Sequence, residues 1–387
     1  MVQKCAFEVW APARAFARHM SPPLSSPWWS SRAFEGAHAR VMRRCARVAV
    51  ARRVARVGCD GAAAIRAPRA RIGAVVCGRA LSSSSRASDA PGAVAEVWLY
   101  DPRGFLAAHG GAGDVDDACA RLTTDEERAT MRATPERLLA RAFARRVLAS
   151  ASAGDGDDAR TEAIDIAFDI GARGKPRLKA WDATVGGVRG FSVSHCDGLV
   201  AVATTRDASA EIGCDVESEI RRLGSDIGKF SARWMSSGER QGLDAITDDE
   251  EKARAFMKLW TLKEAYVKAL GLGIAGRPFR EFDVAWERVE QGEDARCTID
   301  GVRNASEKGG IWRIDLRDDA APAASRAWSM ALLKPRLEHE HVLALCMPSA
   351  GESTRADIRV RWATPFDDIV NEGVAPALLG ASSRFFV

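Results

Sequence analysis

The chain has 387 residues, 47% of them hydrophobic, with 56 basic and 52 acidic side chains and a net charge of +4, enough to bury a sizeable core and to exceed one average domain. No stretch approaches the roughly 20 apolar residues that a bilayer crossing needs, so no membrane partner is expected. Nine cysteines, at positions 5, 45, 59, 77, 119, 196, 214, 297 and 346, form no C-x-x-C pair; they read as reduced intracellular thiols, with neither a zinc site nor a disulfide framework indicated.

The small net charge hides two unlike parts. Residues 1–90 carry sixteen basic side chains, Lys4 and fifteen arginines from Arg14 to Arg86, against four acidic ones, Glu8, Glu35, Asp60 and Asp89. The remainder holds 40 basic and 48 acidic residues. The head, 1–92, is rich in Arg, Ala and Ser and closes on a serine run at 82–85 and on Pro91-Gly92. This is the composition of a cleavable organellar transit peptide, for plastid or mitochondrion, with a cytoplasmic chain as the alternative. A disordered arm attracted to nucleic-acid phosphate competes with that reading. No aromatic residue interleaves with the arginines between positions 35 and 90, and no nucleic-acid partner is expected.

Residues 95–100 alternate as a strand, and Asp101 to Gly104 should turn it. Thr124 and Glu127 have the spacing of a capping box, so a helix begins there and carries Arg128 near its first turn. A second helix is expected over 135–152, with Pro135 at its first position and a basic side made by Arg141, Arg145 and Arg146. A surface loop at 154–158, a strand at 164–170 and a glycine-bearing loop at 171–176 follow. Two short strands, 191–194 and 199–205, flank a turn at 195–198.

A comparable order comes next. Residues 211–217 read as a strand, 227–234 as helical, and Ser236 with Glu239 as a second capping box. Thr247 and Glu250 form a third, opening a long helix that stops at Gly271, a natural left-handed C-terminal position. Strands are expected at 282–286, 297–300, 311–316, 327–333 and 342–347. The fold class is therefore α+β: a half at 93–207, a second of the same class at 208–348, and an extension at 349–387 that contains one strand, 358–362, and has no assigned role.

On the long helix Trp260, Glu264 and Lys268 fall at i, i+4 and i+8, beside an apolar stripe of Phe256, Leu259, Val267 and Leu270. Taken alone, Glu264 and Lys268 are an exposed pair supporting their own helix by about 0.2 to 0.5 kcal/mol. Asp215 and Glu217 are two apart on a strand and share a face, with Cys214 and Val216 on the other. Carboxylates so placed repel unless a raised pKa, a basic neighbour or a divalent cation intervenes; a solvated strand edge is the plainer reading. Gly213 before them suggests close packing or close approach of a ligand. Lys175, between Gly174 and Pro176, lies in a loop to which Arg173 adds a second cation. Such a loop can meet a phosphate, or be an ordinary turn. His195 follows Ser194 at a strand end, and His339 with His341 makes an H-x-H pair that lacks a third ligand and reads as structural.

In order, Gly174-Lys175-Pro176, Ser192-Val-Ser-His195, Gly213-Cys-Asp-Val-Glu217 and Trp260-Thr-Leu-Lys-Glu-Ala-Tyr-Val-Lys268 with Gly271-Leu-Gly273 resemble the 4′-phosphopantetheinyl transferase superfamily. Within it the chain is most similar to the larger Sfp-type class, in plant-type wording, over about residues 95–348. That class has two similar α+β halves in one chain with the active site between them. The resemblance implies a monomeric, magnesium-dependent holo-acyl-carrier-protein synthase that moves 4′-phosphopantetheine from coenzyme A to a serine of an apo-acyl carrier protein. It implies Asp215, Glu217 and Glu264 as Mg²⁺ ligands, and Glu264 and Lys268 as catalytic residues. Lys268 would also contact the phosphates, and Arg128, Arg173, Lys175, Ser194 and His195 would hold the nucleotide. The same chemistry on an aminoadipate-reductase or polyketide carrier domain is one alternative; a non-catalytic coenzyme A-binding protein is another. Two departures from the family pattern are Ser192, where Asn is common, and Ile170, near which related enzymes carry an arginine.

Overall fold

The computed structural model describes residues 94–109, 112–131, 134–152, 162–179, 187–207, 209–220, 227–288, 299–300, 303–304, 312–319, 328–335, 337, 339–349, 357–366, 370–371 and 376–382, which all lie in one compact unit. The basic head, the loop expected at 154–158 and Cys297 fall outside the described residues.

Strand β1 (Val94–Tyr100) leads into helices α1 (Arg103–Ala108), α2 (Ala112–Cys119), α3 (Asp125–Met131) and α4 (Pro135–Ser152). The turn expected at 101–104 is cut short, because Asp101 Oδ1 accepts from the backbone N–H of Arg103 (3.0 Å) and a helix starts at once. The Thr124–Glu127 box closes in both directions, at 3.3 and 3.1 Å. Arg141 and Arg145 are buried rather than forming a solvated basic side. Both pair with Glu127, and Arg145 Nη1 also donates to the carbonyls of Ala163, Ile164 and Ile166. Those carbonyls turn toward the guanidinium, so 163–165 is a 3-10 turn, and the strand expected from 164 is only β2 (Phe168–Ile170). It forms a hairpin with β3 (Pro176–Leu178), followed by β4 (Gly190–Cys196) and β5 (Leu199–Thr205).

The second series runs β6 (Gly213–Ser218), α5 (Ile227–Trp234), α6 (Ser237–Asp244), α7 (Asp249–Leu270) and α8 (Gly273–Gly276). Strands β7 (Asp283–Arg288), β8 (Ile299–Asp300), β9 (Arg303–Asn304), β10 (Trp312–Arg317), β11 (Trp328–Lys334) and β12 (His341–Pro348) follow. The chain then adds β13 (Asp357–Ala363), β14 (Val370–Asn371) and β15 (Ala377–Ala381).

These strands build two mixed sheets. One runs β14-β13-β1-β5-β4, with β8 on β13; the other runs β6-β12-β11-β15-β10-β7, with β9 on β15. Alternation along each strand sets the layers. Ala95, Val97 and Leu99 of β1 and Leu199, Ala201 and Ala203 of β5 face Cys214 and Val216 of β6, Leu343 and Leu345 of β12 and Ala331 and Leu333 of β11 in one buried layer between the sheets. Trp98, Tyr100, Val200 and Val202 point outward onto α4. Val342, Ala344, Met330 and Leu332 point outward onto α7. The architecture is thus helix, sheet, sheet, helix, an α+β fold.

The stretch after 348 is part of this frame. Strand β13 pairs parallel to β1 in the first sheet, and β15 inserts between β11 and β10 in the second. Gly380 permits that insertion, since a Cβ there would lie 2.7 Å from the Trp312 carbonyl oxygen. Among the described residues no helix is long and apolar enough to cross a membrane.

Candidate active site at the junction of β4, β6 and α7

Helix α7 begins one residue later than expected. Asp248, not Thr247, is the N-cap, its carboxylate accepting from the Glu251 N–H at 2.7 Å. The charged side chain takes the cap position, where it also meets the positive end of the helix dipole. The helix stops at Gly271, whose φ of 69° is left-handed. From Ala255 to Ala269 every residue except Lys258 is buried. Such all-round burial comes from packing against β6 and β12 on one side and against α5, α6 and the 279–282 turn on the other. Trp260 sits edge-on to Phe279 at 4.9 Å between ring centroids. Lys263, to which the sequence reading gave no role, is fully buried and donates to Glu239 (2.7 Å) and to the carbonyls of Phe279 (2.8 Å) and Phe282 (2.5 Å). Glu239 is the N3 residue of the Ser236 capping box and also accepts from the Val284 N–H.

Close approach of α7 to β6 depends on Gly213, where a Cβ would meet the Ala265 carbonyl oxygen at 1.9 Å and the Ala269 nitrogen at 2.5 Å. Asp215 and Glu217 therefore face α7 beside Glu264 and Lys268, all four buried. Lys268 Nζ donates to Asp215 Oδ1 at 2.6 Å. Burial works against its charge, but Asp215 and Glu264 outweigh it and hold the ammonium protonated. Glu264 is the opposite case. Its burial, then the negative charge of Asp215 and, less, of Glu217, raise its pKa well above the ordinary carboxyl value against the pull of Lys268.

Edge strand β4 meets edge strand β6 across the seam between the sheets. Ser192 Oγ accepts from the Cys214 N–H at 3.0 Å and Ser194 Oγ from the Val216 N–H at 3.2 Å. These hydroxyls satisfy edge donors of β6 that burial would otherwise leave unpaired. His195 is the next-to-last residue of β4; burial, then the charges of Lys268 and Arg137, bring its pKa down to about 4. Arg137 was not singled out from sequence. A cation in the first turn of a helix runs against the helix dipole, and that was the available signal.

The hairpin β2–β3 reaches the C-terminal end of α7. Lys175 Nζ donates to the carbonyls of Ile212 (2.9 Å) and Ala269 (3.2 Å), with burial and then Arg177 lowering its pKa to about 8. Arg173 is exposed and borders α8, its Nη1 being 2.8 Å from where a Cβ on Gly276 would stand. Arg128 lies elsewhere: its guanidinium is held by Asp125, Asp116 and the carbonyls of Ala120 and Thr123. His341 is buried, with Nε2 2.7 Å from the Asp197 carbonyl oxygen and Nδ1 3.1 Å from that of His339; it ties β12 to the turn after His195. Cys119, Cys196, Cys214 and Cys346 are free thiols.

The donor set suits a hard divalent cation. Asp215 Oδ2 and Glu264 Oε2 are buried oxygens without a hydrogen-bond partner, and three carboxylates outnumber the one ammonium among them. Among the described residues no three His, Cys, Asp or Glu side chains are drawn together as a preformed cation cage. The Lys268 ammonium rests on Asp215 instead.

Comparison with known proteins points to the same segment. Residues 211–346 match the model of the 4′-phosphopantetheinyl transferase superfamily. The chain is 34% identical over 125 residues to the 4′-phosphopantetheinyl transferase HetI of Nostoc sp., covering 32% of this chain and 49% of that protein. It is 30% identical over 125 residues to the 4′-phosphopantetheinyl transferase pptA of Paxillus involutus, covering 29% and 44%. It is 34% identical over 113 residues to the L-aminoadipate-semialdehyde dehydrogenase-phosphopantetheinyl transferase of Eremothecium gossypii, covering 29% and 38%. The chain thus spans half or less of the length of these relatives.

Proposed function

We propose that this chain, whose residues 211–346 match the model of the 4′-phosphopantetheinyl transferase superfamily, transfers 4′-phosphopantetheine from coenzyme A to a serine of an apo-acyl carrier protein. The observation that carries the reading is that Asp215 and Glu217 of β6 face Glu264 and Lys268 of α7, all buried, with one oxygen of Asp215 and one of Glu264 left without a hydrogen-bond partner.

In this reading Asp215, Glu217 and Glu264 hold Mg²⁺, which when bound neutralises charge on the coenzyme A pyrophosphate. Glu264, on the stripe of α7 that faces β6, takes the proton from the carrier serine. The serine oxygen forms a bond to the β-phosphorus, the pyrophosphate P–O bond breaks, and adenosine 3′,5′-bisphosphate leaves with the electron pair. Lys268, kept protonated, meets the charge that builds on the phosphates. In the same reading His195, Arg173 and Lys175 would hold the nucleotide. Arg128, held among 116–125, takes part only if its segment rearranges.

The carrier is an acyl carrier protein in the first reading; an aminoadipate-reductase carrier domain is the second, favoured by the name of the Eremothecium relative. The chain acts as a monomer. Its head, 1–92, directs it to plastid or mitochondrion, and sequencing the mature N-terminus tests this: an intact head on the purified protein overturns it.

Mass spectrometry of both apo-carriers after incubation with the chain, coenzyme A and Mg²⁺ tests the activity. A phosphopantetheine adduct on serine is expected, lost in Glu264→Gln with the fold intact. Full transfer by that variant removes Glu264 from the chemistry, and no adduct on either carrier leaves a coenzyme A-binding protein.

A further inference from the structure

One hydroxyl joins the first sheet to the candidate site. Ser194 Oγ donates to Asp215 Oδ1 at 2.8 Å, and accepts from Lys268 Nζ at 3.0 Å and from the Val216 N–H at 3.2 Å. A serine hydroxyl has one proton and two acceptor sites, so protein groups saturate this one. The residue is also only 6% exposed. Nothing on it remains to bind a nucleotide or a phosphate.

We propose that Ser194 is a positioning residue for the cation site rather than a contact to coenzyme A. It pins Oδ1 of Asp215 and the Lys268 ammonium together, so that Oδ2, which has no partner, is the oxygen left for a divalent cation. The three groups come from β4, β6 and α7, so the carboxylate is set only when the two sheets are docked. Without the hydroxyl the Asp215 side chain can turn both oxygens toward Lys268, and the ammonium then competes with the cation. Cation binding should weaken while binding of coenzyme A does not.

Ser192 supplies the comparison. It stands two residues earlier on the same face of β4 and stitches the same seam, but its hydroxyl bonds the Cys214 N–H. A substitution there weakens the seam without releasing Asp215 or Lys268.

The inference rests on the cation site proposed above, and on the transferase reading only for turnover. The full chain and its Ser194→Ala, Ser194→Thr and Ser192→Ala variants are titrated calorimetrically with MnCl₂ and assayed for their Mg²⁺ requirement and KM for coenzyme A, with thermal unfolding to check the fold. Ser194→Ala should weaken Mn²⁺ binding and raise the half-saturating Mg²⁺ by about ten- to a hundredfold, the loss of one hydrogen bond to a charged group. At saturating Mg²⁺ its KM for coenzyme A should stay within about twofold. Ser194→Thr should rescue Mn²⁺ binding, and Ser192→Ala should lower the melting temperature without moving it. Unchanged Mn²⁺ affinity in Ser194→Ala, or a raised KM for coenzyme A at an unchanged Mg²⁺ requirement, overturns the proposal, as does a wild-type chain that binds no Mn²⁺. Should Ser194→Ala not fold, Ser194→Cys, a weaker donor of similar shape, must bind Mn²⁺ less tightly than wild type for the proposal to stand. A wild-type chain that binds Mn²⁺ but modifies no carrier sinks the transferase reading alone, and the titration still decides Ser194.

Discussion

Lys268 Nζ lies 2.6 Å from Asp215 Oδ1, with both side chains only 6% exposed, so α7 is bound to β6 by a charge pair at the point where Glu264 faces the same strand. The ammonium does for Asp215 part of what a bound cation would do for all three carboxylates.

Lys268→Met should therefore destabilise the chain by about 3 to 5 kcal/mol, the usual result of leaving one member of a buried pair alone. Added Mg²⁺ should restore more stability to the variant than it gives to wild type, because the cation then supplies the missing charge. Thermal unfolding with EDTA and with excess MgCl₂ measures both. An equal cation effect on the two proteins would count against a shared site.

The neighbouring lysine should behave differently. Lys263 is as deeply buried, but its partners are Glu239 and the carbonyls of Phe279 and Phe282, which belong to the scaffold. Lys263→Met should cost about 3 kcal/mol or more in urea unfolding, with turnover per folded molecule little changed and no added response to Mg²⁺. A large loss of turnover at intact stability would place Lys263 in the chemistry instead.

His195 predicts an acid limb. Its folded pKa of about 4 lies below the ordinary 6.5, so between those values the unfolded chain takes up a proton that the folded chain refuses. The stability this neutral imidazole contributes is present above pH 6.5 and lost as pH falls toward 4, at up to about 1.4 kcal/mol per pH unit. His195→Gln should flatten the fall in urea stability over that window; parallel curves would show that the ring is not held neutral.

Two glycines should respond with opposite signs. Gly213→Ala drives a methyl into the Ala265 carbonyl, so α7 must lift from β6, at a cost of about 1 to 3 kcal/mol and of the register between Asp215 and Glu264. Gly242→Ala, on α6 with nothing within 4 Å of the added carbon, should gain up to about 1 kcal/mol from helix propensity. Denaturant midpoints and transfer rates of the two variants check this; a harmless Gly213→Ala would mean that α7 is not seated by that contact.

Much of this was legible residue by residue. The Thr124 and Ser236 boxes, the Gly271 stop, the run of α4 from Pro135 to Ser152 and the shared face of Asp215 and Glu217 all depend on neighbours within a few positions. The misses differ in kind. Helix α1 stands where only a turn was expected, because Asp101 turns back on Arg103 two positions on, whereas the strand expected from 164 gives way to carbonyls that serve Arg145, eighteen or more residues away. Strand β15 has no alternation to betray it, because it lies between two other strands with both faces covered.

The sequence by itself determined that Glu264 and Lys268 share a helix stripe and that two carboxylates share a strand face, because 3.6- and 2-residue periods are local geometry. Whether those stripes were solvated or joined was decided by tertiary structure alone. The absence of a side chain at Gly213 lets α7 close on β6, the hydroxyl of Ser194 reaches across from the other sheet, and the strands after 348 complete both sheets. Burial then turns an ordinary helix-surface pair into a charged group held by Asp215 and a carboxyl of raised pKa, since the energy of a charge depends on what replaces water around it.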